Sequence, residues 1–413
     1  MKKTILFILI TILMVSFAFP YSESDLFDFN FQLRHRFENN SKDLNKDTKA
    51  DSFNLLRTRL GITFTPAKNV AAFVQFQDSR NFGEELNTLT DGTANKFDLH
   101  QAYFTADKFF GLPVRIKLGR MEMSYGSERL LGTVDWSNIG RSFDGVVFTV
   151  HSNKMLIDLF SMKETEDRQL GDIGDKDLMG IYGRFKLIPD YKTDAYVLMQ
   201  SIKPLTDVEE LNRITAGIYV KGSHGKFSHE LEFAYQTGKI FLGSELDIKA
   251  MMAAWSFNFL LSDSGVMPSI SAGVSYLSGD KDNTDTTYGT FDTLYATNHK
   301  FYGFMDYFTN IPANTFGLGL MDIYAGVTVK PLDKTTINLN YHNFTTASDY
   351  TLNTTVTSKN IGSEIDFTAK YKYNKLISFV FGASFFTPGD IFKEKIGEDS
   401  GSWIYFMTVF NIK

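Results

Sequence analysis

The stretch Phe27-Asp28-Phe29-Asn30-Phe31-Gln32-Leu33-Arg34-His35-Arg36-Phe37-Glu38 changes character at every residue. One parity reads Phe, Phe, Phe, Leu, His, Phe, and the other reads Asp, Asn, Gln, Arg, Arg, Glu. Successive side chains of an extended strand leave on opposite faces, so this segment turns one face to hydrocarbon and the other to water. The pattern returns along the chain. Leu56, Leu60, Ile62 and Phe64 oppose Arg57, Arg59 and Thr63, and Phe227, Leu231, Phe233 and Tyr235 oppose Ser228, Glu230, Glu232 and Gln236. Near the end, Ile365, Phe367, Ala369 and Tyr371 oppose Glu364, Asp366, Thr368 and Lys370. The segments Met179–Phe185 and Lys249–Phe259 are apolar on both faces and carry the weakest strand signal.

Connections between these segments alternate in length. Short ones fall around Pro66–Lys68, Lys108–Leu112, Ser152–Asn153, Leu187–Tyr191, Gly222–Gly225, Ser262–Gly265, Pro331–Lys334 and Asn374–Lys375. Longer polar stretches lie between them, from Asn39–Asp51 through Ser124–Gly140 and Gly279–Phe316 to Thr387–Ser400. Outer-membrane barrels alternate in this way, with tight periplasmic turns and long extracellular loops. The fold expected is therefore all-β: a transmembrane antiparallel β-barrel of about eighteen strands. Without the two weak segments the count is about sixteen.

Residues 1–18 combine Lys2 and Lys3, a short apolar run and small residues at Ser16 and Ala18. They read as a secretory signal, with the barrel spanning residues 19–413. No later apolar run is long enough for a membrane helix, which needs about 18 residues. The chain has 39 Phe, 19 Tyr and 3 Trp, a share of aromatics that suits a surface facing lipid. It has no Cys, so no disulfide holds it. A net charge of −6 gives no pull toward nucleic acid. The expected place is the outer membrane of a Gram-negative cell, reached by Sec-dependent export.

With the polar parity inward, Arg34 and Arg36 on the first strand and Arg57 and Arg59 on the second share the extracellular half of the wall. Arg115 and Lys117 share one face of the fifth strand. Arg120 falls on the opposite parity unless a bulge at Gly119 resets it. Arg141 opens the next strand, and Arg213 lies near the outer end of the tenth. The guanidinium fork suits carboxylate and phosphate, and rings of basic residues select anions in pores. The competing reading is that these arginines pair with lumen carboxylates such as Glu38, Asp144, Glu232, Glu364 and Asp366 and merely hold the wall.

Other chemistry is sparse. Asp280-Lys281-Asp282-Asn283-Thr284-Asp285 lacks the Gly and the distal Glu of a calcium loop and reads as a solvated loop. The seven His show no metal-ligand spacing, and no Gly-x-Ser-x-Gly or phosphate-cradling glycine loop occurs. No catalytic residue, metal or cofactor is expected, and an enzyme is disfavoured.

Several stretches resemble the alginate-export family of outer-membrane porins. They include Gln75-Phe76-Gln77-Asp78-Ser79-Arg80-Asn81-Phe82-Gly83, Asp98-Leu99-His100-Gln101-Ala102-Tyr103 and Leu118-Gly119-Arg120. They continue with Tyr125-Gly126-Ser127-Glu128-Arg129-Leu130 and Asp135-Trp136-Ser137-Asn138-Ile139-Gly140-Arg141-Ser142-Phe143-Asp144-Gly145, and later Glu364-Ile365-Asp366. The resemblance spans nearly the whole chain after the signal and implies an eighteen-stranded barrel with an electropositive constriction for an acidic polysaccharide. It carries over Arg120, Arg129 and Arg141 as basic lining and Asp144 as a paired acid, with Arg59 a looser match.

The function expected is passive passage of anionic solutes or an acidic glycan past Arg34, Arg57, Arg59, Arg120, Arg129, Arg141 and Arg213, with Asp144, Glu364 and Asp366 as lumen acids. The partners expected are outer-membrane lipid or lipopolysaccharide, the anionic cargo and a periplasmic export partner. A structural or adhesive barrel with partner-binding loops is the alternative, and a secreted glycan-active enzyme is a third. The stretch 279–316 is long enough to cover the pore or to fold into it.

Overall fold

The computed structural model describes residues 26–83, 97–165, 175–203, 210–352 and 356–412. The segment expected to be a signal, residues 1–18, lies outside them. The first strands are β1 (Phe27–Ser41), β2 (Asp51–Ala67), β3 (Val70–Asn81), β4 (Phe97–Ala106), β5 (Val114–Met121) and β6 (Phe143–His151). There follow β7 (Met155–Thr165), β8 (Asp175–Phe185), β9 (Tyr191–Lys203), β10 (Leu211–His224), β11 (Phe227–Phe241) and β12 (Glu245–Leu260). The circuit ends with β13 (Ser269–Leu277), β14 (Leu320–Leu332), β15 (Thr335–Leu352), β16 (Val356–Lys372), β17 (Ile377–Pro388) and β18 (Gly401–Ile412).

Each strand pairs antiparallel with its neighbours, and β18 closes on β1 from Phe31↔Ile412 to Ser41↔Ser402. Closure leaves no edge strand among the described residues, the condition for a sheet to sit in hydrocarbon. A two-residue strand, Thr287–Tyr288, runs parallel to β12 within the connection from β13 to β14. Short turns gather at one end of the barrel and the long loops at the other, the arrangement that puts turns in the periplasm and loops outside.

The two faces divide as the alternation demands. Leu33, Phe37, Leu60, Leu231, Phe233 and Ile365 are exposed on the outer surface, whereas Arg34, Arg36, Arg57 and Arg59 are buried inside. The two weak segments form complete strands, so the count is eighteen and not sixteen. Their inward face is apolar because it is packed rather than wet. Leu178, Ala250 and Met252 are fully buried in one cluster with Phe291 and Tyr295 from the long β13–β14 connection.

No bulge at Gly119 resets the parity of Arg120; a bulge lies instead on the neighbouring strand. Pairing of β5 with β6 runs unbroken from Val114↔Val150 to Met121↔Phe143. Pairing of β3 with β4 jumps from Gln75↔Gln101 to Phe76↔Leu99, which leaves His100 as the extra residue and turns it inward. Gly119 has a different task. Its φ is 132°, and a Cβ there would stand 2.2 Å from the carbonyl oxygen of Ala102. Gly119→Ala is expected to destabilise the barrel by about 2 kcal/mol or more, from backbone strain plus the clash. Gly111→Ala, at φ 75° but with nothing within 4 Å of the added Cβ, carries the backbone strain without the clash and so isolates the clash. The measurement is the urea midpoint read by the heat-dependent gel shift of folded barrels; equal midpoints for the two variants would contradict the assignment.

Candidate functional site

Two loops fold back into the barrel from its outer end. The third loop (residues 122–142, between β5 and β6) and the seventh (278–319, between β13 and β14) meet in a parallel bridge, Leu131↔Tyr295. Around it, Gly132 N donates to Tyr295 O and Tyr295 N to Leu130 O, both at 2.9 Å, and Thr297 N donates to Glu128 O at 2.9 Å. Lys300 Nζ adds an ion pair to Glu128 at 2.8 Å. The loops are thus one body: Phe291, Tyr295, Tyr302, Met305, Phe308 and Ile311 of the stretch 279–316 are buried inside the barrel, while residues 281–286 stay exposed.

The arginines of β1 and β2 hold this body by its main chain. Arg34 donates to the carbonyls of Asp135 (2.5 Å), Trp136 (3.2 Å) and Ser137 (2.8 Å). Arg57, with no exposed surface, donates to Asp135 O and Ser137 O, both at 3.1 Å, and to Asp135 Oδ1 at 2.6 Å. Gln32 Oε1 accepts its remaining donors. Arg59 reaches Gln77, Glu122 and Ile139 O at 2.6, 3.2 and 3.1 Å. The bulged His100 sits between them, its Nε2 2.9 Å from Arg59 Nη2 and 2.8 Å from Glu122 Oε1. Trp136 is clamped flat, with the Arg36 guanidinium 4.1 Å from its ring on one side and the His299 ring 4.3 Å away on the other. Guanidinium groups suit this task because five fixed donors can satisfy several carbonyls at once.

Burial pushes the Asp135 carboxyl up, but Arg57, Arg34 and Arg59 outweigh it and hold the group below its ordinary value. A depressed folded value means that the contribution is complete above the ordinary carboxylate range and is lost only as pH falls through the lowered value. The fastening is therefore intact from neutral pH to about pH 5.

The seventh loop is held in the same manner with charges of the other sign. Glu364 accepts the N–H of Met305 at 2.8 Å, and Asp366 accepts that of Phe304 at 3.3 Å. Arg213 pairs with Asp292 at 2.8 Å and donates to Gln200 at 2.9 Å. Phe308 and Ile311, in the loop and its short helix α1 (Ile311–Asn314), pack with Phe344, Ile361 and Phe386 of the wall. Phe392 of helix α2 (Asp390–Lys395) completes that apolar plug.

The residues expected to line a basic pore therefore have other placements. Arg34, Arg57, Arg59 and Arg213 are buried fastenings, and Glu364 and Asp366 anchor loop backbone. Arg129 and Arg141 belong to the third loop and tie it to the seventh: Arg129 donates to the Tyr302 hydroxyl at 3.1 Å and Arg141 to Ala296 O at 3.3 Å. Arg120 and Asp144 pair at 2.8 Å on the outward parity, away from the lumen. They do not line the pore, because no bulge turns Arg120 inward.

Exposed basic side chains face the lumen nearer the turn end. Arg115, Lys117 and Arg184 border a cavity of about 310 Å³ below the third loop, with Tyr103, Tyr125 and the carboxylates of Asp158 and of Glu122, the latter held by Arg59 and His100. Arg115 pairs with Asp107 at 2.6 Å and Arg184 with Asp158 at 2.5 Å. Lys117 lies 3.9 Å from the centre of the Tyr103 ring and has no carboxylate partner among the described residues. Arg184 follows the same alternation as its neighbours on β8 and is readable as inward; the strand's apolar inner face conceals it.

The alginate export family model matches residues 25–406. The chain belongs to the alginate-export family. No curated protein matches it. Among solved structures it is similar to OpdO of Pseudomonas aeruginosa, with 12% identity, a TM-score of 0.60 and 95% of this chain against 99% of that one. OccAB4 of Acinetobacter baumannii gives 12% identity and a TM-score of 0.61 over 94% and 98% of the two chains. OpdK of Pseudomonas aeruginosa with vanillate gives 12% and 0.57 over 94% and 99%. At such identities the likeness is one of fold: this family member has the outer-membrane porin barrel.

Removing one fastening tests the assignment. Arg57→Ala removes the ion pair to Asp135 and one of the two arginine donors to each of the Asp135 and Ser137 carbonyls, a loss of about 1–3 kcal/mol from the docked third loop. Trypsin should then cut at Arg129 or Arg141 in the folded barrel. Unchanged resistance to trypsin in the variant would show that the loop does not depend on Arg57.

Proposed function

We propose that this barrel sits in an outer membrane and conducts small anionic solutes or an acidic saccharide passively through a narrowed lumen, without an enzymatic step. The observation that carries the reading is the basic cavity beneath the third loop, where Lys117 is without a carboxylate partner among the described residues and Arg115 and Arg184 stand beside it. A lone ammonium over a tyrosine face attracts an anion without holding it through several fixed bonds, which is what a conducting site requires. Tyr103 and Tyr125 offer flat surfaces beside the charge, suited to a sugar or an aromatic ring. The relative OpdK has been seen with vanillate, a carboxylate, which supports the same ligand class here.

The test is the reversal potential of single channels in planar bilayers under a salt gradient. Anion preference is expected, and Lys117→Glu should lower the anion-to-cation permeability ratio by roughly twofold or more. Cation preference in the wild type would overturn the reading. The dense packing of both loops in the outer half favours a second reading, a closed barrel whose outer surface binds a partner, and complete absence of conductance would support that one.

A further inference from the structure

A second cluster of cations lies at the turn end of the barrel, on the wall formed by β14 to β18. Lys334, Lys370, Lys372 and Lys375 border a cleft of about 620 Å³ together with Ser378 and Asn411. No carboxylate borders it. Lys334 donates to Tyr373 O at 3.0 Å, and among the described residues none of the four lysines has a carboxylate within ion-pair distance. This contrasts with the loop end, where the inward arginines are consumed by backbone carbonyls and acids.

Register fixes which way the cleft faces. Lys370 and Lys372 share the parity of the buried, inward Glu364 and Asp366 on β16. Ser378 pairs with Lys372 and shares the parity of inward Ser384; Asn411 shares that of inward Trp403 and Tyr405. The cleft is therefore open to solute at the inner lip of the barrel rather than to lipid. Lys370 and Lys372 stand two residues apart on one face, roughly 7 Å along the strand, and repel each other. Like charges gathered without counter-charges are relieved by an anion from outside the chain.

We infer that this cleft is a binding site for an oxyanion with two or more charged groups, taken up from the periplasmic side. Four mobile ammonium groups supply charge density without the fixed fork of arginine, so the site selects for total charge rather than for the shape of one carboxylate. The volume lies in the ordinary range for small-ligand sites, about 300–1,000 Å³. Multivalent anions therefore meet an attractive site at the turn side of the barrel.

The orientation rests on the outer-membrane channel reading, but the site is tested apart from conduction. Full-length barrel in detergent at low ionic strength is titrated with citrate, a tricarboxylate, and with acetate, and binding is followed by equilibrium dialysis. Citrate should bind at least tenfold more tightly than acetate. Lys370→Gln combined with Lys372→Gln should weaken citrate at least tenfold with the gel shift of the folded barrel unchanged, while Lys249→Gln on the outer face has no effect. Equal citrate affinity in the double variant and the wild type overturns the inference, as does equal affinity for the two anions. A barrel that binds citrate at these lysines yet prefers cations in bilayers keeps the site and loses the conduction reading. One that prefers anions yet binds citrate equally with and without the lysines does the reverse.

Discussion

Arginine bound to backbone carbonyl is the contact on which the interior of this barrel depends. A guanidinium cannot shed its charge, so burying one demands enough acceptors to replace its water. Arg57 finds them in Gln32, Asp135 and Ser137, and Arg34 finds three successive carbonyls of the same loop. The requirement acts in both directions. The third loop is held because the arginines need its carbonyls, and its carbonyls are satisfied because no helix or strand of their own takes them. The seventh loop is joined to the third through the Leu131↔Tyr295 bridge and to the wall through Arg213, Glu364 and Asp366, and the buried Phe308, Ile311 and Phe344 add apolar packing.

The barrel was legible because its physics is written in alternation. Phe29, Phe31, Leu33 and Phe37 against Gln32, Arg34, Arg36 and Glu38 leave a strand in lipid little choice, and the order of short and long connections gives the strand count. The site was legible only in part. Arg34, Arg57 and Arg213 could be assigned to the inner face from parity, but not their partners, since a carbonyl oxygen is carried by every residue and marks none. Asp135 and Arg57 are 78 positions apart, and nothing in either segment names the other.

Two further features lay beyond sequence reasoning for definite reasons. A bulge shifts parity by one residue, and whether it falls at Gly119 or at His100 turns on local main-chain fit rather than residue type. The apolar inner faces of β8 and β12 blurred the alternation because a loop from elsewhere in the chain lies against β12 and the same buried cluster reaches β8. Where the lumen is filled by protein, inward positions follow the rules of a core and not those of a pore.

The chain has three tryptophans, and their placement has an optical consequence. Trp136 and Trp403 meet edge to face with ring centres 5.6 Å apart, inside the clamp of Arg36 and His299. Trp255 lies on the outer surface beside Phe257. Indole emission responds to neighbouring charges and ring contacts, so unseating the third loop changes the surroundings of Trp136 and Trp403 and leaves those of Trp255 as they are. The protein thus has an intrinsic, label-free gauge of whether its two inner loops are seated, with a constant membrane reference in the same spectrum.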